Sequence, residues 1–333
     1  MAKKECSAEK FKTTIGGQAL IEGIMMLGPE KSATVVRAKD GIHTKVEPRK
    51  KPKKGFSFRK LPFIRGVFNF CTSMKVGVKS LMYSAEFVED DDENVPQEKE
   101  SKLDKWIEKK MDSDKAQNVI ITLAVILGIS MSVALFIILP SIVGSFLSKW
   151  ITNDWLLYLI EGLLRIAILI TYMFAVSRMK DMKRVFAYHG AEHKTIRCYE
   201  AKLPLTVENV RKQIRFHPRC GTSFLFVVLF ISILVFSLAS ALLKPITPEI
   251  ASPVLAALVR ILFKLLLLPI VVGIAYEFNR VVGRHDNWLT HALSAPGMWL
   301  QRLTTREPDD SMIEVGIEAV TLVLPEEEGS DIW

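Results

Sequence analysis

The sequence predicts a mainly α-helical polytopic membrane protein, with four transmembrane helices and a small β-containing N-terminal cytoplasmic domain. Three observations carry that expectation. Of 333 residues, 49% are hydrophobic, and they are pooled in a few long runs. Four runs reach the roughly 20 residues that a helix needs to span a bilayer. Lys and Arg, 44 against 36 Asp and Glu, gather on alternate connections between those runs. The apolar content excludes a disordered tail, and four cysteines in so long a chain exclude a disulfide-stapled secreted module.

Residues 1–60 read as a strand-rich cytoplasmic domain. The opening MAKKECSAEK has no apolar core that would act as a cleavable signal. In IGGQALIEGIMMLGP, Gly16, Gly17 and Gly23 bracket apolar residues. The segment lacks a G-x-G-x-x-G pattern and a Walker lysine, so tight turns are expected there and not a phosphate loop. Runs 32–39 and 42–47 are β-prone and joined by Asp40-Gly41, a strong hairpin turn. Arg49, Lys50, Lys51, Lys53 and Lys54 form a basic run suited to anionic lipid. Only Phe56 and Phe58 stand near it for stacking, so sequence-specific nucleic-acid binding is not expected, while ribosome contact is a second reading.

Residues 61–88 place Phe63, Val67, Phe68, Cys71, Met74, Val78 and Leu81 at helical spacing among cations, which predicts an amphipathic helix at the membrane interface. Packing on the domain's own core is the alternative. Residues 89–118 read as a charged linker. The four-helix transmembrane domain, 119–278, has its runs at 119–147, 155–176, 222–243 and 253–278. Residues 1–118 hold 24 Lys and Arg and the loop 177–221 holds 11, while the loops 148–154 and 244–252 hold one each. The positive-inside bias then places both termini and loop 177–221 in the cytoplasm. Cys6, Cys71, Cys198 and Cys220 all fall on that reducing side, with no C-x-x-C pair. Residues 279–333 read as a cytoplasmic helical tail, in which Ile313, Ile317, Val320 and Leu324 share a face.

Loop 177–221 carries the residues that can do chemistry. In His189-Gly-Ala-Glu192-His193 the two imidazoles stand four apart, on one face of a helix, where they can grip one divalent metal, with zinc first. Glu192 beside them is the candidate catalytic base. The order H-x-x-E-H is that of the inverted zincins. A third ligand is needed, and His217 is put first, with Cys220 and Glu277 as further candidates and His285, Asp286 and His291 beyond them. His189 lies 12 residues past Ser177, roughly 18 Å beyond the span if the helix is straight, which excludes an intramembrane protease.

Inside the spans stand Glu161, Arg165, Arg260 and Lys264. Ionisable groups there cost about 2.5–3.5 kcal/mol each and must pair or face water. Similar depths suggest a Glu161–Arg260 pair. The surplus cations point to a pocket for an anionic headgroup open to the outer side, or else to snorkelling.

These residues together resemble the YqhQ-like family of bacterial integral membrane proteins, predicted metal-dependent enzymes of unknown substrate. The resemblance rests on GGQALIEGIMM (16–26), LPFIRGV (61–67), YHGAEHK (188–194), HPRCGTSF (217–224), YEFNR (276–280) and TTREPDD (304–310). It implies a metal and a multi-pass protein of the bacterial cytoplasmic membrane. Two classes of function compete: a metal-dependent hydrolase at the cytoplasmic face, and a non-catalytic assembly factor engaging a translocon or ribosome. Transport through the intramembrane charges is a third and weaker class, since four spans show no repeat.

Overall fold

A computed structural model describes residues 11–49, 58, 61–87, 114–243, 253–285, 287–327 and 329–332. They fall into two compact units, one within 1–88, 170–235 and 267–333, the other within 89–169 and 236–266. The basic run beyond Arg49 and the linker as far as residue 113 lie outside the described residues.

The first unit opens with a four-stranded antiparallel meander, β1 (Gly16–Leu20), β2 (Gly23–Leu27), β3 (Lys31–Ala38) and β4 (Gly41–Pro48), in the order β1-β2-β3-β4. Asp40-Gly41 closes the β3–β4 hairpin in the register Ala38↔Gly41. Of the glycines expected at tight turns, Gly16 and Gly17 open β1, and Gly23 opens β2 and closes a two-residue turn opposite Leu20. The turn between those strands falls at Ile21-Glu22, with Glu22 at φ 51°. Helix α1 (Ile64–Ala85) follows.

In the second unit, α2 (Asp114–Val133) runs through a π-helical turn, Ala134–Ile138, into α3 (Leu139–Leu147). Pro140 lies at the start of α3, where its ring would strike the carbonyl four residues back in a regular helix; the widened turn relieves this. Then come α4 (Asp154–Arg178), α5 (Lys180–Glu200), the short α6 (Val207–Arg211), α7 (Gly221–Leu243), α8 (Pro253–Arg284), α9 (Trp288–Thr304) and α10 (Asp310–Thr321). Four helices among the described residues are long and apolar enough to cross a membrane: Thr122–Leu147, Asp154–Arg178, Gly221–Leu243 and Leu258–Arg284.

The core of the first unit joins segments far apart in sequence. Ile24, Met26 and Val35 of the sheet pack with Tyr188 and Ala191 of α5 and with Val315 and Val320 of α10. Asp309 caps α10 by accepting the Met312 N–H at 2.9 Å. The N-terminal strands, the loop helix and the C-terminal tail therefore share one hydrophobic interior. Helix α1 turns its small residues inward: Gly66, Gly77, Ser80 and Ser84 are buried, and Ser80 meets Thr34 of β3 at 3.1 Å. Its apolar side chains Phe63, Phe68, Phe70 and Met74 are exposed, so they do not build the core.

The intramembrane charges of the second unit pair differently from expectation. Glu161 binds Arg165 at 2.9 Å and Lys264 at 3.3 Å, and Lys264 also donates to Ser141 at 2.9 Å. Arg260 Nε donates to the Ala256 carbonyl at 3.3 Å. Ser141, Glu161, Arg260 and Lys264 border a cavity of about 280 Å³.

Candidate metal centre

Helix α5 begins polar and becomes almost wholly buried from Phe186 to Ile196. Gly190 lies where a Cβ would collide with the Arg306 carbonyl, so glycine lets the connection from α9 to α10 cross close to the helix. Arg306 N–H donates to Phe186 O in the same crossing, at 2.8 Å. The crossing brings the Thr304 carbonyl to 2.8 Å from His189 Nδ1. After Glu200 the chain turns back through Lys202, at φ 53°, and Pro204. The returning segment passes His193, whose Nδ1 stands 2.6 Å from the Arg215 carbonyl.

Both rings therefore turn Nδ1 to a backbone carbonyl, which leaves Nε2 as the atom each has to offer a metal. This is the orientation that metal-ligating histidines adopt. Cys220, at the end of the returning segment, places Sγ 3.1 Å from His189 Nε2. One donor atom each from His189, His193 and Cys220 lies within 4.8 Å of the other two. Two imidazoles and a thiol are the donor types that suit zinc or a similar borderline ion, so this group could hold one.

Glu192 is the fourth member. Its Oε2 is 3.9 Å from His189 Nε2, and its Oε1 accepts the Gly17 N–H at 3.1 Å. A Cβ at Gly17 would stand 3.1 Å from Glu192 Cγ and 2.7 Å from the Met25 carbonyl, so a bare backbone is what admits the carboxylate. The cluster is enclosed: His193 is 1% exposed and Glu192 5%.

Burial alone would push the Cys220 thiol up, but the His189 and His193 rings hold it well below the ordinary thiol value. Burial would likewise depress His189, yet the Cys220 sulfur and Glu192 carry it up to about 9. The two shifts together favour a thiolate facing an imidazolium, and a cation held there would take the place of the imidazolium proton. Burial raises the Glu192 carboxyl above the usual carboxylate range, against the pull of both rings.

His217 lies beside this group, 5.6 Å from His193 between ring centroids, but its Nε2 faces Glu200 Oε2 at 3.3 Å. Burial drives its pKa down to about 4. Gln301 of α9 fixes the His217 backbone, accepting its N–H at 2.9 Å and donating to its carbonyl at 2.7 Å. The structure brings Cys220, and not His217, to the two helix histidines. Glu277 is occupied elsewhere: Arg65 Nε donates to it at 2.6 Å, and Phe63 N–H at 3.3 Å. His285 Nδ1 returns to the Val281 carbonyl at 2.9 Å. Asp286 lies outside the described residues, and His291 borders a cavity with Glu200 and His217.

Sequence reasoning missed Gly17, Thr304 and Arg215, whose contribution is made by backbone atoms. The segments quoted above nonetheless meet in space. Gly17, His189, Cys220 and Thr304 come from four of them and form this site. Arg65 and Glu277 come from the other two and form the ion pair.

A family profile described as "Protein of unknown function (DUF1385)" matches residues 61–326. The "Uncharacterized protein YqhQ" of Bacillus subtilis (strain 168) is 34% identical over 322 residues, covering 96% of this chain and 94% of the relative. No solved structure matches the chain. With the profile spanning most of its length and a relative aligned from end to end, the chain belongs to this YqhQ-like, DUF1385 family.

Proposed function

We propose that the protein is a metal-dependent hydrolase of the bacterial cytoplasmic membrane, with its site and both termini on the cytoplasmic side. The observation that carries this reading is a three-donor set, His189, His193 and Cys220, beside a carboxylate that is not itself a donor. Structural zinc sites close with four protein ligands, whereas three leave a position for water or substrate. A divalent ion, zinc first, would acidify water there and polarise a carbonyl or phosphoryl oxygen. Glu192, held by the Gly17 N–H and with its affinity for a proton raised, would accept a proton at its carboxylate and give it to the leaving group. The exposed apolar side of α1 supports seating in the lipid interface.

The enclosure of the cluster favours a second reading. In it the metal staples the first unit together and the protein is a non-catalytic assembly factor, with a ribosome or translocon as partner. Elemental analysis of detergent-purified protein tests the shared premise: about one metal per chain, lost in His189→Ala/His193→Ala without loss of folding. Cobalt substitution then separates the readings. A hydrolase site gives ligand-field bands that change with pH, at a midpoint displaced in Glu192→Gln. A closed structural site gives bands that are pH-invariant and identical in the variant.

A further inference from the structure

We infer that the first unit carries a binding site for the phosphate of an anionic membrane lipid, at the end of the candidate span Asp154–Arg178. The site is a concavity of about 650 Å³ bordered by six cations, Arg178, Lys183, Arg184, Arg215, Arg302 and Arg306, and by one carboxylate, Glu307. That carboxylate is already shared between Arg215, at 3.1 Å, and Lys194, at 2.6 Å. Arg184 is engaged with Glu22. Arg178, Lys183, Arg302 and Arg306 have no carboxylate partner among the described residues. Arg306 is held in place through its guanidinium, which donates to the Ser177 carbonyl at 2.9 Å.

Four uncompensated cations facing one concavity repel one another and call for a counter-charge. Their number and the forked donors of three arginines match the tetrahedral oxygens of a phosphate better than a lone carboxylate. The place of the concavity says where that phosphate comes from. Its wall includes Phe174 and Ser177, in the last turns of an apolar helix long enough to span a membrane. Phe174 is 48% exposed, and the Arg178 guanidinium lies over its ring at 4.6 Å. An exposed aromatic capped by arginine at a span's end marks the lipid–water boundary, the level at which headgroup phosphates lie. The cations therefore stand where anionic lipid is at its highest local concentration. This inference rests on α4 lying in a bilayer and not on the metal.

The test uses full-length protein in detergent, titrated with phosphatidic acid, phosphatidylcholine or inorganic phosphate and read by native mass spectrometry. Lys183→Gln/Arg302→Gln removes two exposed charges without breaking any contact described for the fold. Lys75→Gln on α1 serves as the control for general attraction to anionic lipid. Phosphatidic acid should bind at least tenfold tighter than phosphatidylcholine. The double variant should lose about tenfold of that affinity, while the control loses less than twofold. Charge reversal, Lys183→Glu/Arg302→Glu, should lose more, with unfolding temperature unchanged. Equal affinity for the two lipids, or equal binding by wild type and both double variants, overturns the inference. So does inorganic phosphate binding as tightly as phosphatidic acid and displacing it at equal concentration, which would make the ligand a soluble phosphoester.

Discussion

The two units each bury a polar cluster, and they satisfy it in opposite ways. In the second unit the Glu161 carboxylate meets Arg165 and Lys264, and Lys264 also meets Ser141. Gly144 lies close enough to the carboxylate that a Cβ there would overlap it. Every charge in that trio has an opposite charge within reach, which is the arrangement of a staple. In the first unit, His189, His193 and Cys220 turn their donor atoms toward one another, while their far sides are held by the backbone of Thr304 and Arg215. His189 and Cys220 meet at 3.1 Å, yet the three atoms that converge are all ones a cation could accept. The Glu161 cluster closes on its own charges; the His189 cluster offers three atoms that could hold a cation.

Removing ligands should give the largest contrast. Cys220→Ser or His193→Ala should cut bound metal from about one per chain to under about a tenth, by elemental analysis. In the staple, Glu161→Gln should cost about 3–5 kcal/mol in unfolding measured in detergent, because two cations are left buried without an acid. Replacing Glu161, Arg165 and Lys264 together by Met should return most of that loss. If the single and triple variants lose the same stability, the trio is a binding site and the contrast fails. A smaller effect is expected at Gly17. Gly17→Ala should cost about 1–3 kcal/mol by overpacking against the Met25 carbonyl, and it should retain metal, since no ligand lies on β1. Loss of metal in that variant would make β1 part of the ligand scaffold.

The contrast also explains what the sequence made legible. Spans follow from length and apolar content alone, so the first three were locatable to within a few residues at both ends. The fourth was not, since α8 runs on to Arg284 through charged residues that read as tail. The β3–β4 hairpin declared itself through Asp40-Gly41, whereas β1 and β2 are glycine-rich and short and read as turns. Helical spacing alone put His189, Glu192 and His193 on one face. The third donor depended on where the chain returns after Glu200, which the Lys202 turn and the Gln301 clamp on His217 decide, and neither leaves a periodic signal. In the spans, similar depth pointed to Arg260 as the partner of Glu161; side-chain packing chose Arg165 and Lys264.

The smallest expected effect concerns the boundary of the metal centre, and it decides whether His217 belongs to it. His217 is buried and neutral, with a pKa lowered to about 4 from its ordinary 6.5. Between those values the unfolded chain binds a proton that the folded chain refuses, so stability rises with pH there and is lost as pH falls from 6.5 toward 4. One such group contributes at most about 1.4 kcal/mol per pH unit across that window. Glu200, which burial would push up but which His217 and Arg219 hold below the usual carboxylate range, loses stability in the same direction, at lower pH. Chelator-treated protein should therefore melt at steadily lower temperature from pH 6.5 to 5, and His217→Asn should flatten that slope while leaving metal content near wild type. A variant that keeps the slope but loses the metal would move His217 from the wall of the site into its ligand set.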